Sequence, residues 1–86
     1  MYSLEIEQEV YRTFKKLAKK DPKQLESTKK KIDQILNDPL QFKPSRHPLE
    51  GLWRVHVGSF VLIYEVRENL KAVRLLEYKH HDEAYL

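Results

Sequence analysis

The chain has 86 residues, of which 41% are hydrophobic and 34% charged, and it carries a net charge of +3 with neutral histidines. This length and composition predict a single folded domain spanning residues 1–86, with one modest core. The sequence contains no cysteine, which excludes disulfides and thiolate metal sites. No apolar run approaches the ~20 residues of a membrane span and no signal-peptide core is seen, so we expect a cytoplasmic protein with no membrane partner.

The first half of the chain predicts one strand followed by two helices. Residues 2–7 alternate between apolar and polar side chains, which is the pattern of a half-buried strand. From Gln8 the apolar residues recur with helical spacing, and we interpret the lysines on the outer face of that helix as a solvated surface. Asp21-Pro22 is a helix-start signal, because Asp caps free amides and Pro suits the first helical position. The second helix is expected to end at Asn37-Asp38-Pro39, and the short link predicts a helical hairpin.

The second half predicts three strands joined by turns. A loop at residues 40–51, stiffened by prolines, comes first and carries Lys43, Arg46 and His47. The predicted strands and turns that follow are, in order, strand two at 52–57, a turn at 58–59, strand three at 60–66, a turn at 68–69 and strand four at 72–78. Strand three is apolar on both faces except for Glu65, which predicts a position at the centre of the sheet.

These elements predict an α+β domain with the order β-α-α-β-β-β, in which a helical hairpin packs on one face of a small antiparallel sheet. Residues with matching periodicity should form one core: Val10, Phe14, Leu17, Leu25, Ile32, Ile35, Trp53, Val55, Leu62 and Tyr64. Because side chains alternate along strand two, Arg54 and His56 are expected on the face away from that core.

Several kinds of chemistry find no support in the sequence. His80 and His81 are adjacent, so in an extended chain they would point to opposite faces, and we expect no metal site. With only Gly51 and Gly58, the chain has no glycine-rich phosphate loop, and we expect no cofactor. Ser59 lies in a turn and lacks the context of an activated nucleophile.

The remaining candidates are cations and proton carriers near the sheet: Arg54, His56, His80 or His81, and Tyr85. Cleavage of RNA by its own 2′-hydroxyl needs proton removal, proton delivery to the departing 5′-oxygen, and charge stabilisation at the phosphate. Imidazole moves protons near neutral pH, and arginine binds phosphate in a bidentate manner. The alternative interpretation is that these residues are the polar positions that any half-buried sheet requires.

The chain resembles the RelE/ParE superfamily of type II toxin–antitoxin toxins over essentially its whole length. The similarity includes the opening strand, the helical hairpin and three further motifs, Leu49-Glu50-Gly51-Leu52-Trp53-Arg54-Val55, Phe60-Val61-Leu62-Ile63-Tyr64-Glu65-Val66 and His80-His81-Asp82-Glu83-Ala84-Tyr85. It is closest to the RelE branch, whose members cleave mRNA in the ribosomal A site. The resemblance implies a RelB-like antitoxin, the ribosome and mRNA as partners.

The resemblance also implies roles for individual residues. The catalytic set would be Arg54, His56, His81 and Tyr85, with the basic side chains on the scissile phosphate and the tyrosine assisting proton transfer. In addition, Lys43 and Arg46 of the proline-containing loop, together with His80, are predicted to bind RNA.

This chain departs from the RelE pattern at two positions that bear on activity. Val61 stands where RelE-like nucleases often have arginine, and His81 replaces a C-terminal arginine. Imidazole is less basic than guanidinium and cannot form its bidentate fork. Two alternatives therefore stay open: a ParE-like toxin that binds a protein such as DNA gyrase, and a family member that has lost cleavage.

Overall fold

The computed structural model describes residues 1–44 and 51–84, and two predicted site residues, Arg46 and Tyr85, lie outside this part of the chain. The elements in chain order are β1 (Ser3–Ile6), α1 (Gln8–Lys20), α2 (Pro22–Asn37), β2 (Lys43–Pro44), β3 (Trp53–Val57), β4 (Phe60–Arg67), a 3-10 turn (Glu68–Leu70), β5 (Ala72–His80) and α3 (His81–Ala84). Within the described residues, no helix has the length and apolar character needed to cross a membrane.

The two helices begin and end close to where the sequence predicts. Asp21 caps α2, since its carboxylate accepts a hydrogen bond from the backbone N–H of Gln24 at 3.2 Å. Pro22 occupies the first turn, where its missing N–H costs nothing. The two helices pack against each other as a hairpin and cover one face of the sheet. Strand β5 contacts α1 and supplies residues to the core.

The sheet has five strands in the order β1-β5-β4-β3-β2, with β4 at the centre as predicted. The prediction that the sheet is wholly antiparallel is wrong, because β1 pairs with β5 in parallel, with Ser3 opposite Ala72. No tight turn joins these two strands, so alternation within β1 gives no information on its direction.

Two strand boundaries also differ from those expected. The predicted loop contains the two-residue strand β2, in which Lys43 pairs with Arg54 of β3. Strand β5 continues two residues beyond the predicted end at Tyr78, because Lys79 and His80 pair with Val61 and Phe60 of β4.

The predicted core is confirmed. Eight of its ten residues are buried in one cluster, and the other two, Phe14 and Trp53, are partly buried against it. Tyr64 has no exposed surface. Its hydroxyl donates a hydrogen bond of 2.7 Å to the carbonyl of Pro39, just beyond the end of α2. This bond joins the central strand to the chain segment that enters β2.

A buried polar network fixes α2 to the end of the sheet. The Tyr78 hydroxyl lies 2.7 Å from the Thr28 hydroxyl, and it accepts a hydrogen bond of 2.9 Å from Gln24 Nε2. The same Gln24 nitrogen donates to the carbonyl of Val57 at 2.7 Å, at the last position of β3. Gly58 follows with a φ of +61°, and a Cβ there would lie 2.8 Å from Gln24 Oε1. The positive φ favours glycine, and an added methyl would in addition displace the Gln24 amide that makes these hydrogen bonds.

Replacement of Tyr64 by Phe should leave the buried Pro39 carbonyl without its donor and cost about 1–3 kcal/mol at neutral pH. Burial, with a smaller contribution from Asp38, raises the pKa of Tyr64 above its ordinary value. The native state therefore favours the neutral phenol. This stabilisation is fully present below pH ~10, the ordinary pKa of tyrosine, and is lost as the pH rises above that value. Urea unfolding gives the free energy of unfolding of the wild-type and Tyr64→Phe proteins. The difference between the two values should shrink by about 1.4 kcal/mol per pH unit above pH ~10. A gap that stays constant across this range would contradict the buried phenol.

Replacement of Gly58 by Ala should destabilise the fold more than replacement of Gly51 by Ala. Both glycines have positive φ, at +61° and +86°, so both variants pay a conformational cost of about 1–2 kcal/mol. At position 58 the added methyl meets Gln24, whereas at position 51 none of the described residues lies within 4 Å of it. Thermal unfolding of the matched pair measures the difference, and equal melting temperatures would show that the Gln24 contact is unimportant.

Candidate nucleic-acid interface

The face of the sheet away from α1 and α2, here called the open face, carries rows of side chains aligned across the strands. In one row Arg54 lies opposite Ile63, which lies opposite Glu77. In the next row His56 lies opposite Val61, which lies opposite Lys79. Arg54 and His56 are thus confirmed on the face away from the helix-packed core.

The centre of the open face is apolar and buried. Val61 is 1% exposed and Ile63 is 3% exposed, although neither faces the helices. Charged and imidazole side chains stand on both sides of this centre. His56 and Lys79 are separated by two strand spacings, or roughly 10 Å.

Three predicted residues lie together at the β2–β3 edge of the open face. Lys43 is the register partner of Arg54, and with His56 these residues line a cleft of about 370 Å³ together with Gln41 and Phe42. A cleft with two cationic side chains and an imidazole is suited to an anionic group such as a phosphodiester.

Lys79 is a site candidate that sequence reasoning missed. Its side chain is half-exposed, and its Nζ lies 3.7 Å from Glu77 Oε1. An exposed pair of this kind is weak, so the lysine can exchange its partner for a phosphate at little cost. The strand alternation carries the signal, but the predicted strand four ends at Tyr78, the residue before Lys79.

His81 is held at the end of the sheet where β3 turns into β4. Its backbone N–H donates to the Ser59 carbonyl at 2.8 Å, and its ring Nδ1 lies 3.0 Å from the same oxygen. Ser59 follows His56 by three residues, so the structure brings His81 to the end of the strand that carries His56. Its ring lies at the rim of the sheet rather than within the rows of the open face.

His80 does not lie on the open face with Arg54. It is the register partner of Phe60, and the two rings meet edge to face with centroids 5.7 Å apart. Phe60 in turn stacks on Tyr78 of the core at 4.8 Å. His80 therefore points to the helix side of the sheet, and a direct role in an RNA site on the open face is not supported.

The open face and its rim offer groups suited to phosphate chemistry. Arg54 and Lys79 provide positive charge, and His56 and His81 provide imidazoles, which can donate or accept a proton. Arg46 and Tyr85, which are predicted for the same site, fall outside the described residues.

Comparison with known proteins agrees with this architecture. A family model described as the ParE toxin of the type II toxin–antitoxin system parDE matches residues 1–85. A protein of Methanocaldococcus jannaschii that carries the name RelE4 is 41% identical in an alignment of 86 positions, which covers 99% of this chain and 92% of that protein.

Solved structures share the fold at lower identity. The RelBE2 toxin–antitoxin complex from Mycobacterium tuberculosis contains a chain with a TM-score of 0.78 and 23% identity, over 92% of this chain and 96% of that one. The intact E. coli RelBE toxin–antitoxin complex gives a TM-score of 0.77 at 18% identity, over 93% and 96% of the two chains. The sequence matches and the shared fold lead to one assignment: the chain belongs to the RelE/ParE superfamily and is a toxin of the type II toxin–antitoxin class.

Proposed function

We propose that this toxin inhibits translation by cleaving mRNA on the ribosome, with the open face as its RNA-binding surface. The observation that carries this proposal is the arrangement of Arg54, His56 and Lys79 around one buried apolar centre. Two cations on opposite sides of that centre match a polyanion that crosses the sheet. The ribosomal target implies action in the cytoplasm.

The reaction follows from the chemistry of RNA. The 2′-hydroxyl gives up its proton and attacks the adjacent phosphorus, the bond to the 5′-oxygen breaks, and that oxygen takes up a proton. The products are a 2′,3′-cyclic phosphate and a free 5′-hydroxyl. No step consumes a cofactor, so the protein must position the RNA, move two protons and stabilise the phosphate charge.

Each candidate side chain has a role in this scheme. Arg54 binds the scissile phosphate, and Lys79 adds charge from the far side of the open face. His56 and His81 are the proton carriers, assisted by Tyr85 from the C-terminal segment. Lys43 and Arg46 bind neighbouring phosphates, which positions the RNA without reading its sequence.

A second candidate function is that of a ParE-like toxin, which would bind a protein target such as DNA gyrase. Two observations favour it. The matching family model is that of a ParE toxin. In addition, Val61 is buried at the place where RelE-like nucleases often have an arginine, so the open face lacks a guanidinium at its centre.

The proposed inhibitor is a RelB-like antitoxin, and the helical hairpin offers a surface for it. A groove of about 520 Å³ runs between β1, α1 and α2 and is lined largely by apolar side chains, among them Ile6, Phe14, Ala18, Leu25 and Ile32. Such a groove accepts the apolar face of an amphipathic helix. The two complexes with the same fold, each containing a toxin and its antitoxin, support a partner of this kind.

Replacement of Arg54 by Ala should remove a charge-assisted phosphate contact and cost about 1.5–3 kcal/mol of transition-state stabilisation. Lys79→Ala should also slow cleavage, because it removes the charge on the far side of the open face. Single-turnover cleavage of mRNA on purified ribosomes measures both. Lys19→Ala, which removes an exposed lysine on α1, is the matched control and should cleave at the wild-type rate. Wild-type rates for both Arg54→Ala and Lys79→Ala would exclude the open face as the RNA site.

Replacement of Ala18 by Glu should weaken antitoxin binding while leaving cleavage intact. Ala18 is exposed and lines the groove, so a carboxylate there would be buried by a docking helix at a large desolvation cost. Binding of the antitoxin from the adjoining reading frame is measured by calorimetry. Lys19→Glu is the control, because it adds a carboxylate on the same helix at a residue outside the groove. Equal affinity of the Ala18→Glu and wild-type toxins would place the antitoxin elsewhere.

A further inference from the structure

Three potential metal ligands cluster where β5 passes into α3. His80, His81 and Asp82 each offer one ligand atom, and these atoms all lie within 4.8 Å of one another. His81 Nε2 is 3.0 Å from one Asp82 carboxylate oxygen, and His80 Nδ1 is 3.6 Å from the other. All three side chains are at least 40% exposed, so a hydrated ion can reach them.

The clustering contradicts the expectation that adjacent histidines point to opposite faces. That expectation holds only while both residues belong to one strand, and the strand ends between them. The change from strand to helix swings the His81 ring back over His80, so that the ring centroids are 4.7 Å apart and the planes differ by 29°. The two imidazoles therefore lie side by side, with their ligand atoms within 4.8 Å of each other and of the Asp82 carboxylate.

The nitrogens that face the cluster already have partners, and a metal ion would replace them. The Ser59 carbonyl can only accept, so His81 Nδ1 carries a proton, and its Nε2 faces the Asp82 carboxylate, so that a metal ion would take the place of a proton between the two. The backbone N–H of Asp82 can only donate, at 3.4 Å to His80 Nδ1, so that nitrogen is unprotonated. A histidine whose second nitrogen donates to a backbone carbonyl is the arrangement that orients imidazole ligands in metal sites.

Both rings are also held in place by their surroundings. His80 packs edge to face on Phe60, which stacks on the buried Tyr78. His81 is anchored through two contacts to the Ser59 carbonyl. These side chains therefore lose less conformational entropy when a ligand binds than freely rotating side chains would.

We propose that His80, His81 and Asp82 form a binding site for a divalent transition metal, with zinc as the ion that fits best. Two imidazoles and one carboxylate are a common zinc ligand set, with water in the fourth position. Tetrahedral zinc with bonds of about 2.0–2.1 Å places its ligand atoms roughly 3.3 Å apart. His81 Nε2 already lies near this distance, at 3.0 Å from one Asp82 oxygen, whereas His80 Nδ1 is 3.6 Å from the other oxygen and the side chains must close around the ion. Calcium and magnesium are disfavoured because they prefer all-oxygen ligands.

The metal site shares His81 with the proposed cleavage reaction. Zinc bound there would occupy His81 Nε2 and would prevent this imidazole from carrying a proton. The metal site is nevertheless tested in the absence of RNA and ribosomes, so its failure and the failure of the nuclease proposal are distinguishable.

The test uses full-length protein without a histidine tag, stripped of metal by a chelator. Zinc is titrated by calorimetry, and cobalt is used as a spectroscopic substitute whose visible absorption reports nitrogen and oxygen ligation. We expect one ion per chain for wild-type protein. His80→Ala, His81→Ala and Asp82→Asn should each weaken zinc binding by about tenfold or more. His56→Ala, which removes an exposed histidine on the open face, should bind as wild type.

Circular dichroism identifies any variant that fails to fold. If a histidine variant does not fold, Asp82→Asn decides, because its side chain is 76% exposed and the change preserves shape. Absence of saturable one-to-one binding by wild-type protein would overturn the proposal. Wild-type affinity in the folded variants, or an equal loss in His56→Ala, would also overturn it.

Discussion

The hydroxyl and ring of Tyr78 connect the core to the end of the sheet where the candidate functional groups lie. The hydroxyl lies between Thr28 and Gln24 of α2, while the ring stacks on Phe60 at 4.8 Å. Gln24 continues the network to the carbonyl of Val57. A phenol this deeply buried must find hydrogen-bond partners, and those it finds tie α2 to the β3–β4 turn. The position of Ser59, and with it that of His81, depends on this network.

The division of the sheet into two faces explains the rest of the site. The helical hairpin covers one face and takes up its aromatic and aliphatic side chains. The opposite face has a narrow apolar centre at Val61 and Ile63, and charged side chains occupy positions that flank it. In so small a domain one face of the sheet cannot both pack against the helices and carry charged side chains, because the core already needs nearly all of the apolar surface. The basic residues are thus separated from the core by the pleat of the strands.

Periodicity was sufficient to predict most of the fold. The alternation in β3 and β4 assigned Trp53 and Leu62 to the core and Arg54 to the other face, because a strand has a period of two. The direction of β1 could not be predicted in this way, since its partner β5 is distant in the chain. Strand β2 was missed because Lys43-Pro44 is too short to show a period and exists through its pairing with β3.

The candidate site was less predictable than the fold, for a physical reason. Arg54 and His56 lie within a regular strand, where position determines the face. Lys79 and the two tail histidines lie where a strand ends, and a shift of one or two residues in that end changes which groups meet. Helix and strand boundaries depend on tertiary pairing more than on local pattern. The positions of Lys79, His80 and His81 therefore follow from the pairing of β5 with β4 and not from the local sequence pattern.

The central claim, that this toxin cuts mRNA by transesterification on the ribosome, is tested most directly by the chemistry of the new RNA ends. Purified toxin is incubated with a defined mRNA, with and without ribosomes, and the 3′ ends are identified by mass spectrometry. The account predicts 2′,3′-cyclic phosphate ends that appear only when ribosomes are present. Intact mRNA under both conditions, together with accumulation of gyrase-linked DNA breaks in a parallel reaction, would contradict it and favour a ParE-like toxin.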